Sequence, residues 1–219
     1  MGLVLGMPGE IFGRIGHYEQ YSYKVLKDYG QWSIRRYSPA VAAETGGGTG
    51  GGSDGDKSFV RLAKYIGVFS TPENTKQGSS EPIAMTTPVI SEPIAMTTPV
   101  VSAGSSSQSS MRFVLPAKYK TAADAPAPTH ASVRLVDVPE KFLAAIQFNG
   151  RCDSMEAASP HHQELLRLMK EVNLVPDGHF ELHRFNPPYT LAYFRLNEVL
   201  VPVKKESLAG LGLDVTGCD

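Results

Sequence analysis

The sequence predicts an α+β fold: a distorted antiparallel β-barrel flanked by two helices, built from two pseudo-symmetric strand–helix–hairpin repeats. Three observations lead there. Short aromatic and β-branched runs bounded by Gly, Pro and Asp recur along the chain, as strands with a buried face require. Two stretches carry a clear helical period, one ending at Ile66 and one running through Leu165 to Val172. Finally, Val133-Arg-Leu-Val-Asp-Val138-Pro139, followed by Phe142-Leu-Ala-Ala-Ile-Gln-Phe148, echoes Ile34-Arg-Arg-Tyr37-Ser-Pro39, followed by Val41-Ala-Ala-Glu44.

At 219 residues the chain is long enough to bury a sizeable core as one domain or two small ones. Hydrophobic residues at 42% and charged residues at 20% sit near the globular average and exclude wholesale disorder. A formal net charge of −1 argues against a nucleic-acid partner, which calls for a concentrated basic surface. No apolar run reaches the length that spans a bilayer, so no stable membrane anchor is expected. Cys152 and Cys218 lie far apart and outside any CxxC spacing, which points to a reducing, cytoplasmic setting rather than a disulfide framework or zinc site. The opening Met1-Gly-Leu-Val-Leu-Gly6 resembles a myristoylation signal, but Gly6 stands where Ser or Thr is wanted.

Residues 1–17 read as an N-terminal extension. Tyr18–Leu26 and Trp32–Thr45 are expected strands, broken at Asp28-Tyr29-Gly30. Gly46–Gly55 is glycine-rich and is expected to be a mobile loop. Its end, Gly51-Gly-Ser-Asp-Gly-Asp-Lys57-Ser58, resembles a phosphate-binding loop but fails. Asp56 stands where Gly must precede Lys and brings a carboxylate to the place of the phosphate oxygens. Asp54 or Asp56 is the expected N-cap of a first helix, with Gly67 as its stop. Phe59, Ala63 and Ile66 share one face of it, and Leu62 and Tyr65 an adjoining one. That broad apolar surface either packs on a sheet or, in part, floors a ligand pocket.

Pro-Ile-Ala-Met-Thr-Thr-Pro-Val then occurs twice, at Pro82–Val89 and Pro93–Val100. Each copy is a short β-prone run closed by prolines, which belong at sheet edges or strand ends. It reads as a local duplication with at least one copy in a sheet. Ser102–Ser110 is an expected polar loop, and Met111–Pro116 an expected strand pairing with one of the copies. Ala122–Thr129, rich in Ala and Pro, reads as a linker. After the restart at Val133 comes the second helix, capped either by Ser159 ahead of Pro160 or by Asp153. Strands are expected at His179–Phe185, Leu191–Arg195 and Asn197–Val203, and Lys204–Asp219 as a loosely held tail.

Taken together, several segments resemble the SOUL/heme-binding protein family. They are Trp32-Ser-Ile-Arg-Arg-Tyr-Ser-Pro-Ala-Val-Ala-Ala-Glu44, Leu62-Ala-Lys-Tyr-Ile-Gly67, the Ile-Ala-Met-Thr-Thr-Pro-Val copies, Phe113-Val-Leu-Pro-Ala-Lys-Tyr119, Asn186-Pro-Pro188 and Arg195-Leu-Asn-Glu-Val-Leu-Val-Pro202. The resemblance runs in order from about Tyr18 to Val203, and the duplicated segment is most similar to the plant and green-algal branch. It implies a family domain over 18–203, with one repeat at about 18–120 and the other at about 131–203, and a tail at 204–219. It also implies a monomer that binds heme b, protoporphyrin IX and other tetrapyrroles in an open apolar groove beside the first helix. Transient contact with heme-metabolising enzymes follows from such a role.

Carried over by this resemblance, Phe59, Ala63 and Ile66 face the pocket and Lys64 meets a propionate. Tyr189 and Leu191 form the opposite lip, and Met85 or Met96 reaches the rim. Some animal members carry a histidine, proposed as the iron ligand, where this chain has Arg36, and arginine cannot ligate iron as imidazole does. Some members also place two Met where this chain has Phe59 and Ala63. Binding is therefore expected to rest mainly on burial, with a weak, solvent-supplied or absent protein ligand to the metal. Removing about 400 Å² of macrocycle from water yields roughly 10 kcal/mol. Association costs at least about 4 kcal/mol, leaving roughly micromolar to tens of micromolar affinity, which suits a carrier or buffer.

Two rival readings are weaker. An enzyme on this fold would need a catalytic constellation, and there is no Ser/His/Asp order, nucleophile elbow or close carboxylate pair; Glu44, Glu181 and Glu198 are scattered acids. An interaction module would use Leu165–Val172, whose apolar residues fit core packing better. Among the histidines, adjacent His161 and His162 diverge on a helix and are expected to be solvated, and His183 is expected to be a satisfied structural residue. Cys152 has no neighbour in sequence that would activate it.

Overall fold

The computed structural model describes residues 18–46, 53–68, 70–93, 109–187, 189–213 and 215. The first half contributes β1 (Glu19–Gln20), β2 (Tyr23–Asp28), β3 (Trp32–Tyr37), β4 (Ala40–Gly46), helix α1 (Ser53–Ile66), β5 (Asn74–Thr75), β6 (Thr86–Thr87), β7 (Val89–Pro93) and β8 (Ser109–Val114). The second contributes β9 (Ala127–Pro128), β10 (Val133–Val138), β11 (Lys141–Asn149), α2 (Met155–Glu171), β12 (Glu181–Arg184), β13 (Leu196–Pro202) and α3 (Lys205–Gly210).

Nine of these strands form one sheet in the order β10-β4-β8-β7-β12-β13-β11-β3-β2, antiparallel throughout. Apart from edge strand β2, the order is a palindrome. Exchanging β3 with β10, β4 with β11, β7 with β12 and β8 with β13 reproduces it read backwards, so a pseudo-twofold axis passes between β7 and β12.

The connections force this sheet to curl. β3 and β4 stand six places apart in the order yet are joined only by Ser38-Pro39. In a flat sheet six spacings cover roughly 29 Å, whereas two residues reach only about 10 Å. β10 and β11, joined by Pro139-Glu140, impose the same constraint.

Core packing follows the curl. Helix α1 covers one half-sheet through Leu62, Ala63, Tyr65 and Ile66 against Val41, Ala43, Met111, Phe113 and Val133. Helix α2 covers the other through Ala158, Leu165, Leu168 and Met169 against Trp32, Ile34, Phe142, Ala144, Val199 and Val201. On the opposite face a third cluster joins both halves: Tyr21, Tyr37, Ile90, Val114, Leu143, Ala145 and Leu200. Phe142-Leu-Ala-Ala lacks alternation because β11 is buried on both faces.

Several expectations are corrected. The strand that pairs with β8 is β7, Val89–Pro93, which runs from the last residue of the first copy to the first residue of the second. This is where four residues run free of proline, so a full ladder can form. The first copy contributes Thr86 and Thr87 to a parallel pair with β1; beyond Pro93 the second copy lies outside the described residues, as do most of the expected polar loop and residues 47–52. Helix α1 starts at Ser53, which places Asp54 and Asp56 inside it. It stops at Gly67, where φ is +87° and a Cβ would lie 2.5 Å from the Pro72 ring.

The expected linker is instead ordered by α1. Ala125 is buried, Pro126 O accepts a 2.8 Å bond from Tyr65 Oη, and β9 pairs with β5. Ser154 caps α2, accepting from Ala157 N, and Pro160 sits within the helix. Residues 191–195 form a 3₁₀ turn at Ala192–Phe194, not a strand. The tail is held: Leu208 of α3 is fully buried, and Leu211, Leu213 and Val215 pack against the α2 cluster.

Candidate functional site

Phe59, Ala63, Ile66 and Met85 belong to one apolar cluster. The Phe59 ring meets Phe113 edge-on at 5.4 Å and keeps part of its surface, as does Met85. Ala63 and Ile66 do not: they are 0% and 3% exposed, packed between helix and sheet. The sequence reading put all three helix residues on the ligand's side. With Leu62 and Tyr65 also fully buried, however, the apolar surface of α1 is turned squarely into the sheet. Lys64 is exposed, with its Nζ 3.6 Å from Glu73 Oε1, an ion pair that contributes little. Met96 lies outside the described residues.

Tyr189 and Leu191, each 50% exposed, sit in the connection from β12 to β13. Its ends are pinned by Leu196 N donating to Asn186 Oδ1 at 2.7 Å and by Arg195 Nη1 on Asp153 at 3.2 Å. The register pair Arg184↔Val89 sets the start of this connection beside the strand that leaves the Ile83–Pro88 segment. Ile83 N in turn donates to Ile66 O at the end of α1. Sequence reasoning missed Tyr193, 80% exposed, and Phe194, whose rings meet at 5.4 Å. The aromatic run 193–194 was the available signal, but it reads equally well as strand.

Charge is concentrated on the face opposite the helices. Arg35 pairs with Glu198 at 2.8 Å; Glu44 holds Arg112 and Arg134; Glu92 holds Arg112; and Glu181 holds Lys141. His183, 0% exposed, sets Nε2 at 2.9 Å from Glu181 Oε2. Glu44, Glu181 and Glu198 are therefore one buried, paired set rather than scattered acids. His183 is only half satisfied: its Nδ1, like Tyr21 Oη and Thr87 Oγ1, is buried with no hydrogen-bond partner among the described residues.

The remaining candidate ligands are engaged elsewhere. Arg36 is tied to Glu140 at 2.6 Å. His161 and His162 are partly exposed, with their rings stacked on Phe148 and Phe180 at 3.7 and 4.2 Å. Cys152 is a buried thiol that burial pushes above its ordinary value, which keeps it inert. Among the described residues no group of three or more His, Cys, Asp or Glu could hold a metal ion.

These burials give a pH dependence whose sign is fixed. Burial depresses His161 and His162 below their ordinary 6.5, so the unfolded chain takes up protons first and stability falls as pH drops below about 6.5. Burial alone would raise Glu181, but His183 and Lys141 outweigh it and hold the carboxyl at about 2, so its contribution is present above 4.5 and lost as pH falls toward 2. Glu92, raised by burial, works in the opposite sense. Melting temperature should fall in two stages, from pH 7 to 5 and again below 4.5. His161→Gln combined with His162→Gln should flatten the first stage only; an unchanged first stage would contradict the assignment.

The sequence matches the SOUL heme-binding protein family over residues 18–202. The chain belongs to that family. No curated protein matches it. Among solved structures, the SOUL domain resembles the C-terminal domain of EcmrR, with a TM-score of 0.53 at 10% identity, covering 80% of this chain and 98% of that one. It also resembles a hydrolase from Listeria innocua, with a TM-score of 0.52 at 13% identity, covering 80% and 94%. At such identities the likeness is one of fold. No helix among the described residues of the SOUL domain is long and apolar enough to cross a membrane.

Proposed function

We propose that the protein binds heme and other tetrapyrroles reversibly and without covalent attachment, as a carrier or buffer, in a groove between α1 and the 185–195 connection. The observation that carries this reading is the family match, which spans both of those elements. In this reading Phe59 and Met85 touch the macrocycle from one side, with Ala63 and Ile66 as the buried layer that supports them. Tyr189 and Leu191 close on it from the other side, and Lys64 exchanges Glu73 for a propionate. Heme b and protoporphyrin IX are both accepted, because no iron ligand is required. Binding rather than turnover is the activity, performed by a cytosolic monomer of the plant and green-algal branch that hands its ligand to heme-metabolising enzymes.

Titrating the apo-protein with hemin and with protoporphyrin IX while following the Soret band tests this directly. The two should bind with similar affinity, at roughly micromolar to tens of micromolar, and should compete. Phe59→Ser with Leu191→Ser should weaken both at least tenfold while leaving the melting temperature within a few degrees. A six-coordinate low-spin heme spectrum, or failure of protoporphyrin IX to compete, would refute burial-driven binding.

A further inference from the structure

We propose that the connection from β12 to β13 is a membrane-docking loop. It settles reversibly on a bilayer with anionic headgroups, Tyr193 and Phe194 entering the interface and arginines at its base meeting the headgroups. From Asn186 to Phe194 the chain carries no charged residue, and Arg184 and Arg195 bracket the run. Leu191, Ala192, Tyr193 and Phe194 are all exposed, and Tyr193, at 80%, is the most exposed large hydrophobic residue among those described.

The loop does not owe its order to burying Tyr193. Thr190, itself 1% exposed, donates its N–H to Pro187 O at 3.0 Å; Phe194 N donates to Leu191 O and Arg195 Nε to Thr190 O, both at 2.9 Å. Arg195 O accepts from Gly150 N at 2.9 Å, which ties the base to the end of β11. In a 3₁₀ turn residues three apart eclipse, so Leu191 and Phe194 lie on one side, and the Tyr193 ring meets Phe194 at 5.4 Å. Held in advance, this apex loses little conformational freedom on docking.

Two features select a bilayer over a second protein. At about 150–250 Å² for a whole aromatic side chain, the exposed parts of Tyr189, Leu191, Tyr193 and Phe194 amount to on the order of 400 Å². One side of a stable protein interface buries about 800 Å², whereas a bilayer interface accepts a few Tyr and Phe rings at headgroup depth. The second feature is charge. Asp153 holds Arg195 at 3.2 Å and also Arg151, whose side chain is 76% exposed and can exchange Asp153 for a headgroup. With Arg184 at the start of the connection and Glu156 in the first turn of α2, the base carries three arginines against two acids. This local excess stands in a chain whose formal net charge is −1, and each basic side chain near an anionic surface adds to binding. Such docking is peripheral and differs from a stable anchor. Because Tyr189 and Leu191 belong to the same connection, it also turns the groove of the reading above toward the bilayer; the docking itself does not rest on that reading.

The test uses the full apo-chain with no tetrapyrrole present, so its outcome is independent of the groove. Sedimentation with phosphatidylcholine vesicles containing about 30 mol% phosphatidylserine should carry the protein down, and phosphatidylcholine alone should bind at least about threefold less. Tyr193→Asp should lower partitioning at least about fivefold while leaving the melting temperature within a few degrees. In Tyr193→Trp, vesicles should shift the indole emission to the blue and brominated lipid should quench it; the chain's own Trp32 is buried. That measurement decides the matter if Tyr193→Asp does not fold. Vesicles that leave the protein in solution, equal binding to the two vesicle types, a Tyr193→Asp protein that binds as the unaltered one does, or an indole that stays in water would each overturn the proposal. So would a dimer in gel filtration that Tyr193→Asp dissolves, because the patch would then be an interface between two copies.

Discussion

Replacing Glu181 with alanine should destabilise the protein by about 3–5 kcal/mol, the usual cost of breaking a buried ion pair from one side. The carboxylate is 2% exposed and serves two partners, Lys141 Nζ and His183 Nε2. Removing it leaves an ammonium that is 23% exposed and a fully buried imidazole without their acceptor. Urea denaturation at pH 7 measures the loss. Replacing Lys141 and Glu181 together with methionine and leucine should recover much of it, because a well-packed apolar pair desolvates no charge. A single-variant loss under 1 kcal/mol would mean that water reaches this network.

Ala63→Arg should abolish cooperative folding at 25 °C rather than merely block a ligand. Ala63 is 0% exposed, on the side of α1 that packs against Val41, Ala43 and Phe113. A guanidinium there has neither room nor a counter-charge, so overpacking adds to the burial of an unpaired charge. Circular dichroism and urea titration read the outcome. A folded Ala63→Arg protein that has lost tetrapyrrole binding would instead place Ala63 on the open wall of the groove. Phe59→Ser, at the partly exposed edge of the same cluster, separates the two cases because it removes ligand surface while sparing the helix–sheet contact.

How far the sequence foretold this molecule depends on the kind of signal each element carries. The doubled strand–helix–hairpin plan was legible because Ile34–Glu44 and Val133–Phe148 share a pattern, and their equivalents β3–β4 and β10–β11 hold matching places in the sheet. The bounds of β7 were not legible from its own residues: the duplicated segment called for a strand in one of its copies, and only the partners β8 and β12 make Val89–Pro93 that strand. The same holds for 203–215, where tertiary contact with α2, not local periodicity, orders Leu208 and Leu211.

At the candidate site, an apolar α1 surface was legible, but which part of it meets the sheet was not. Five apolar residues across two adjoining stripes cannot say which stripe meets the sheet, and Leu62, Ala63, Tyr65 and Ile66 all do. The inner charged network was invisible for a different reason. Its members come from β3, β4, β7, β8, β10, β11, β12 and β13 and meet only when the sheet is assembled.

The exchange of β3 and β10 between half-sheets has a consequence for autonomy. Each repeat lends its first strand to the other, so a fragment ending near residue 120 would keep α1 but expose the flank of β4 where β10 belongs. Such a fragment could cover that flank with β3 of a second copy, the pseudo-twofold equivalent of β10, as an intertwined pair. Contacts between distant parts of the chain must therefore form before either hydrophobic centre is complete, which makes folding slow and all-or-none.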